Sequence, residues 1–590
     1  MPSLSLSAIF NLQQLNYQET VGMKNKRDKN VPLDWFNFWC EEKGEEAYLH
    51  QPIDNKWQTF TWKETLNHAT NLADNLAKMG LQPGDNVAIL SKNCAHWVIT
   101  DIALQLGGFV SVPLYVDQTK EQLKYILEHS SCKAIFIGKL DKENWNKYKH
   151  VLVNNITKIF FPKLGFSDCS KEVIDGNCLN WDDVTAPSTD IEKNSYATNL
   201  TDTWTILYTS GTSGTPKGVV HSYEGIAEVR EHLGAVFKFN KNERFFSYLP
   251  LAHAAERLLL EVNSMFFGIP IYFTNSLESF QSDLKKCSPT LFFSVPRIWK
   301  KLQLGVLAKI EQRKLDSLLK TPLLGYFVKK KIRKQLGLHS AKMIMSGAAP
   351  ISGSTLDWFS RLGIDIYEGY GLTEVFAYGT VNSYDNYRRG SIGKPLPNSG
   401  YKLSETGEIL FKSNMVMKCY YHDGEQTQSS FTNDGYFKTG DLAYEDADGY
   451  IYIKGRTKEI FKTAKGEYIS PIDIENKLAS NQHIEQVCVV GSGLAQPIAI
   501  ITLANTINEN FDATEFENLR QTVNIELCNH EKLSKFLIYP ESWTTENGIM
   551  TPTLKVKRNV LENLITENFQ TEITNEETVV VLNKITQRDS

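Results

Sequence analysis

At 590 residues the chain exceeds what one compact core organises, and 42% hydrophobic with 22% charged residues excludes a disordered or fibrous protein. A formal net charge of −5 gives no overall drive toward nucleic acid, and no run of about 20 apolar residues offers a bilayer span. The 9 cysteines are scattered without a C-x-x-C pair, which points to free thiols in a reducing, cytoplasmic setting rather than to a disulfide framework or zinc site.

Residues 1–32 show little periodicity and read as an N-terminal extension, without the basic start and long apolar run of a secretory signal. Thr61 and Glu64 have the spacing of a capping box, each side chain satisfying an N–H at a helix start. The helix they open places Leu66, Ala69, Ala73, Leu76 and Ala77 on one face and stops at Gly80. Residues 87–90, 109–114 and 134–137 read as buried strands, with helices at 97–106 and 120–129 between them. That alternation predicts a parallel sheet with crossover helices. A polar stretch at 167–202 separates it from a second α/β run, with strands at 205–208, 245–248, 269–273, 291–294 and 342–345. Beyond Arg388, turn-rich segments such as 407–411 and 449–454 suggest a small β-rich unit, and strands at 487–490 and 498–503 mark a further mixed unit. The expected fold class is α/β: a large N-terminal domain over 33–456, built of parallel α/β subdomains plus the β-rich one, then a small α+β domain over 457–590.

The sharpest local signal spans residues 208–218, Tyr-Thr-Ser-Gly-Thr-Ser-Gly-Thr-Pro-Lys-Gly, directly after an apolar strand. Gly211, Gly214 and Gly218 permit tight turns that bring backbone N–H groups against an anion. Thr209, Ser210, Thr212, Ser213 and Thr215 add hydroxyl donors and Lys217 adds positive charge, so the segment suits a polyphosphate. It is not a Walker A loop, which needs Gly-Lys where this chain has Pro216-Lys217. A flexible Ser/Gly linker is the plainer reading of the composition, but it leaves the closing Pro-Lys-Gly unexplained.

This segment resembles the phosphate loop of the adenylate-forming superfamily of acyl-CoA synthetases, adenylation domains and luciferases. Further segments match that family in order between residues 33 and 565. Tyr248-Leu-Pro-Leu-Ala-His253 resembles its substrate-side segment. Ser346-Gly347-Ala348-Ala349-Pro350 resembles its adenine-contacting turn, and Tyr367-Glu368-Gly369-Tyr370-Gly371-Leu372-Thr373-Glu374 its nucleotide and magnesium segment. Thr439-Gly440-Asp441 and Gly455-Arg456 resemble its ribose-binding positions, and residues 551–555 its C-terminal catalytic loop. Val295-Pro296-Arg297 and the run ending at Glu374 look most like the long-chain fatty acid synthetases. The resemblance implies ATP, Mg2+ and coenzyme A as co-substrates or cofactors, with Lys555, His253 and Thr373 catalytic and Thr209 and Glu374 holding the metal. It also implies a mobile C-terminal lid that swings about Lys458 and brings Gly466 and Tyr468 to the coenzyme A side. Here the chain has Ala464-Lys465-Gly466 where many relatives have Gly-Gly.

The residues make chemical sense at those places. An ionised Asp441 can accept both ribose hydroxyls, although Asp after Gly is also ordinary turn chemistry. Arg456 offers a forked donor, and Glu374 with Thr209 the hard oxygens magnesium prefers. A lone His253 is as readily a core histidine as a group beside an acyl carboxylate. Among Lys555, Lys557 and Arg558 the residues alone do not choose; the resemblance selects Lys555. The expected reaction is AMP-forming fatty acyl-CoA synthesis from small-molecule substrates, with acyl transfer to a carrier protein as the alternative acceptor. Amino acid activation needs an Asp that residues 248–257 lack, while light emission and a non-enzymatic lipid-binding role are more remote classes. The basic run 329–334 after apolar 323–328 reads as a solvated helix face in preference to a weak membrane-surface contact.

Overall fold

The computed structural model describes residues 30–53, 56–152, 156–162, 178–187, 196–210, 215–240, 242–481, 483–504, 512–545, 547–551 and 555–583. Residues 1–29 of the expected extension, most of 167–202 and Gly211, Thr212, Ser213 and Gly214 lie outside the described residues, as does the side chain of Ser210.

The capping box forms as expected: Glu64 N donates to Thr61 Oγ1 (3.1 Å) and Thr61 N to Glu64 Oε2 (2.8 Å). The helix Trp62–Lys78 buries Ala69, Leu72, Ala73 and Leu76, and Gly80 follows its end at φ +96°, a conformation that favours glycine. The first α/β run builds an eight-stranded sheet. Its spatial order is Cys419–Tyr420, Pro216–Ser222, Thr203–Ser210, Val110–Leu114, Asn86–Ser91, Ala134–Gly138, Thr157–Phe160 and Cys178–Asn180. From Thr203–Ser210 to Cys178–Asn180 the pairs are parallel; on the other side they are antiparallel. Near-total burial of Asn86–Ser91 and Val110–Leu114 follows from helices on both faces. One expectation needs correction, because the polar stretch is not merely a separator. Cys178–Asn180 within it is the sheet's edge strand, and Trp181–Thr185 is a short helix.

The second run forms a nine-stranded sheet. Its central strands Tyr367–Tyr370, Met343–Ser346, Leu291–Ser294, Phe245–Ser247, Ile271–Phe273 and Ala47–Ile53 are parallel neighbours in that order. The hairpin Ala47–Ile53/Lys56–Thr61 closes one end antiparallel, a feature with no sequence expectation. The β-rich unit is a four-stranded antiparallel sheet of Lys402–Leu403, Glu408–Phe411, Phe437–Glu445 and Ile451–Arg456. After it come the hairpin Phe461–Lys462/Tyr468–Ile469 and a mixed sheet of Ile484–Val490, Ile498–Leu503, Lys535–Tyr539 and Val579–Val581. All eight described cysteines are free.

The two large sheets share one buried core, and a charged cluster sits inside it. Arg257 Nη2 meets Asp101 Oδ1 at 2.7 Å and Arg257 Nε meets Glu261 Oε2 at 2.9 Å. Arg257 Nη1 also donates to Thr205 Oγ1 (2.9 Å), with the guanidinium over the Trp204 ring. Asp101 lies on the helix Ala95–Gly107, Thr205 on the eight-stranded sheet, and Arg257 and Glu261 on a π-helical turn, Arg257–Val262, so the cluster ties these elements together.

Candidate active site

Four of the motif segments leave the carboxyl ends of adjacent parallel strands in the nine-stranded sheet. Tyr248–His253 follows Phe245–Ser247, Val295–Arg297 follows Leu291–Ser294, Gly347–Pro350 follows Met343–Ser346, and Gly371–Glu374 follows Tyr367–Tyr370. Open parallel sheets bind ligands at this edge. Two glycines there are needed for close approach. A Cβ on Gly347 would stand 3.0 Å from Gly369 O, and one on Gly371 would stand 2.6 Å from the Ala377 backbone. Ala348 adopts φ +65°, and Ala349 is exposed.

The flanks of the 208–218 segment pair in register, Thr209 with Lys217 and Ser210 with Pro216. Thr215 is exposed beside them. Lys217 Nζ donates to Gln426 Oε1 (2.8 Å) and lies 5.4 Å from the centre of the Tyr420 ring. Tyr420 arrives from Cys419–Tyr420, the edge strand beside Pro216–Ser222. Its hydroxyl donates to Glu374 Oε1 (2.9 Å), which links Lys217 to the 367–374 segment. Glu374 Oε2 has no recorded hydrogen bond among the described residues. Thr373 precedes it, and the Thr373 carbonyl contacts His221 Nε2 at 2.7 Å.

Asp441, 3% exposed, receives Arg456 Nε on Oδ1 (2.8 Å) and the Tyr370 hydroxyl on Oδ2 (2.6 Å). Antiparallel register sets Asp441 opposite Arg456, and Gly440 just before it sits within the strand Phe437–Glu445 at φ +73°, where the register against Glu408–Phe411 shifts. Glu368, in contrast, points its carboxylate at Gly390 N (2.9 Å), and burial raises its pKa to about 7.

Lys555 comes from the C-terminal domain. Thr551 N donates to Lys555 O (2.8 Å), and a bridge between Met550 and Val556 closes the loop base. Burial, then the positive charge of Arg456, lower its pKa to about 8, against the opposing pull of Asp441, Glu459 and Glu374. The base of this loop touches the large domain, where Arg297 Nη1 contacts Met550 Sδ at 3.3 Å. For His253, burial, then the charge of Lys555, lower the pKa to about 4. It is therefore neutral at pH 7, with Nδ1 accepting from Ala255 N (3.1 Å). Of the two neighbouring cations that rival Lys555, Arg558 is committed elsewhere. Arg558 ion-pairs with Glu475 and donates to Val489 O (2.6 Å), and Lys557 is the residue before the helix Arg558–Asn568. The structure thus sets Arg558 apart from the two lysines by its buried ion pair.

Lys458 is exposed just past Arg456, and Gly466 and Tyr468 are exposed on the hairpin Phe461–Lys462/Tyr468–Ile469. The Tyr468 ring lies under Lys462 Nζ of its own hairpin, 5.5 Å from the ring centre. This arrangement therefore does not bring them into the Asp441–Lys555 group. Sequence reasoning missed Tyr420, Gln426 and Glu459. No local motif marks the first two, because they meet Lys217 only through strand pairing some two hundred residues along the chain.

A family model described as AMP-binding enzyme matches residues 36–421, and one described as AMP-binding enzyme C-terminal domain matches 458–576. The chain is 28% identical over 573 residues to long-chain-fatty-acid–CoA ligase FadD15 of Mycobacterium bovis, across 88% of this chain and 92% of that one. It is also 28% identical over 589 residues to long-chain-fatty-acid–CoA ligase 5 of Rattus norvegicus, across 88% and 84%. Among solved structures, the A domain of a carboxylic acid reductase from Segniliparus rugosus, in complex with AMP and a co-purified carboxylic acid, superposes with TM-score 0.78. That match has 20% identity and covers 96% of this chain and 98% of that chain.

Proposed function

The chain belongs to the AMP-binding enzyme family, and from that premise we propose that this ATP-dependent, carboxylate-adenylating enzyme takes a long unbranched fatty acid and passes the acyl group to coenzyme A. The observation that supports the adenylation step is geometric: Asp441 holds Arg456 and Tyr370, Tyr420 joins Glu374 to Lys217, and the base of the Lys555 loop meets Arg297 through Met550. In the first half-reaction a carboxylate oxygen of the fatty acid attacks the α-phosphorus of ATP, and the bond to the β-phosphate bridging oxygen breaks, giving acyl-AMP and pyrophosphate. Lys217 and the 209–215 segment hold the polyphosphate, Asp441 and Arg456 hold the ribose, and the Gly347–Ala349 turn with the Glu368–Gly371 strand lines the base. Lys555 opposes the charge that builds on the phosphoryl oxygens, where positioning and electrostatics dominate. Neutral His253 meets the acyl carboxylate without adding charge. Thr373 adjoins the metal-side Glu374 in this reading.

The donor set fits magnesium, which prefers one or two protein oxygens plus substrate phosphates and water. Glu374 and Thr209 would hold it, and it supplies charge neutralisation on the polyphosphate. In the second half-reaction the coenzyme A thiolate attacks the acyl carbonyl and AMP leaves. We place the boundary between the large domain and the lid after Arg456, with Lys458 as the pivot and Gly466 and Tyr468 on the thioester-forming side.

The carboxylates near residues 248–257 argue against an α-ammonium substrate. Glu256 accepts on Oε1 from Ser247 Oγ (2.9 Å), Tyr248 N (3.1 Å) and Asn93 Nδ2 (3.3 Å). Burial raises its pKa and that of Glu261 to about 8, and Asp101 is paired with Arg257, which leaves none of these carboxyls free for an ammonium group. Long-chain specificity is supported by the two ligase relatives and by the Val295–Arg297 segment. The test is a panel of straight-chain acids from acetate upward, with the nucleotide products identified. We expect AMP and pyrophosphate, and kcat/KM that climbs with each added methylene at about 0.8 kcal/mol before reaching a plateau. ADP as the primary product, or best activity on acetate or an amino acid, defeats the reading. Coenzyme A and a carrier protein offered together decide the acceptor.

A further inference from the structure

Of the twelve large apolar side chains left exposed among the described residues, four fall within five positions: Leu323, Leu324, Tyr326 and Phe327. They are 77%, 46%, 61% and 61% exposed and sit on the helix Pro322–Leu336. The helix does not lack an inward face to explain them. Leu336, with the half-buried Val328 and Ile332, packs onto the core beneath. At 100° per residue, Leu323 and Phe327 share the outward side with Lys330, Lys331 and Lys334. All three lysines are exposed. The helix also carries Lys329 and Arg333 and no acidic residue, and none of these five cations is in an ion pair among the described residues. A solvated basic face accounts for the lysines. It does not account for four large apolar side chains held in water beside them, which marks an interaction surface.

We propose that this face docks on an anionic lipid bilayer, with Leu323, Leu324, Tyr326 and Phe327 entering the interface and Lys330, Lys331 and Lys334 against the headgroups. Apolar residues beside a cluster of unpaired cations are the combination that an anionic membrane surface selects. A second copy of the chain is the poorer occupant, since a two-fold contact would set one all-basic face against another. No described helix is long and apolar enough to cross a membrane, and the face offers surface contact only. The inference rests on this helix and not on the acyl specificity proposed above.

The test uses the full chain in flotation with vesicles of phosphatidylcholine alone, or with phosphatidylglycerol at about one lipid in three. The chain should float with the anionic vesicles, be released by salt, and stay unbound with the neutral ones. The triple variant Lys330→Gln, Lys331→Gln, Lys334→Gln should bind about 10²-fold more weakly, from roughly fivefold per lysine. The pair Leu323→Ser, Phe327→Ser should lose at least about tenfold. Both variants should keep the parent melting temperature and its rate on a water-soluble carboxylate. The proposal is overturned if the parent chain does not float, if it binds neutral vesicles equally, or if either variant binds as the parent does. A parent dimer that the variants break into monomers would assign the face to a second copy instead.

Discussion

Replacing Lys555 with alanine is expected to slow acyl-adenylate formation by about 10²–10³, or about 2.7–4 kcal/mol, while thioester formation from supplied acyl-AMP is largely spared. The asymmetry follows from where charge develops. Phosphoryl transfer builds negative charge on oxygens that the ammonium opposes, whereas the second half-reaction releases AMP from an acyl carbonyl after the lid has turned. Geometry supplies the controls. Lys557→Ala should be mild, because Lys557 lies before a helix, outside the Asp441–Glu374 group. Arg558→Ala should fail differently, through stability, because it leaves buried Glu475 without its partner. Equal loss in both half-reactions for Lys555→Ala would refute the assignment.

The same lysine predicts a pH dependence. Its pKa is lowered to about 8 by burial and then by Arg456, so the cation is present below that pH and is lost as pH rises through it. Adenylation kcat/KM, which reports the free enzyme, should therefore fall on the alkaline side with a midpoint near 8. Bound ATP adds negative charge and moves the limb upward in kcat. Lys555→Arg keeps its charge throughout this range, so it should lose the alkaline limb even if its rate is lower. An unchanged limb in that variant would assign the titration to another group.

Much of the frame was legible because burial on both faces leaves a simple mark. The apolar runs at 87–90, 134–137 and 291–294 became strands within a residue or so of the expected limits, and Thr61 with Glu64 announced a helix start. The candidate site was legible where one segment carries several polar groups, as at 208–218 and 367–374. What stayed hidden depends on pairing between distant segments. Cys419–Tyr420 is two residues long, yet its register with Val219 and Val220 brings Tyr420 between Lys217 and Glu374. The hairpin Ala47–Ile53/Lys56–Thr61 joins a sheet whose next strand, Ile271–Phe273, lies some two hundred residues on. The apolar segment 323–328 was visible beside its basic run but was read as part of a solvated helix, since periodicity reports which side chains could face inward, not which ones find a core.

Replacing Arg257 with leucine is expected to destabilise the protein by about 3–5 kcal/mol, the cost of leaving the buried Asp101 carboxylate without its cation. Arg257 and Asp101 are fully buried and Glu261 is 1% exposed, so water cannot compensate for the lost partner. The cluster holds one guanidinium and two carboxyls, and both cannot stay ionised at little cost. Burial, followed by the charge of Asp101, pushes the Glu261 carboxyl well above the usual carboxylate range. Glu261 therefore keeps its proton at neutral pH, leaving Arg257 and Asp101 as the charged pair. This division makes the two carboxyls unequal under mutation. Glu261→Gln, which preserves a neutral hydrogen-bonding group, should cost no more than about 1 kcal/mol at pH 7. Asp101→Leu should cost several times that, because it strands the guanidinium. Joint replacement of Arg257, Asp101 and Glu261 by Met, Leu and Leu should recover much of the loss, since packed apolar groups need no counter-charge. Urea midpoints of the four variants, read beside adenylation rates, check the scheme. Arg257 lies four residues after His253 in the segment that starts this helical run, so Arg257→Leu should also raise KM for the carboxylate. If Glu261→Gln costs as much as Arg257→Leu, Glu261 is ionised and the charge assignment within the cluster is wrong.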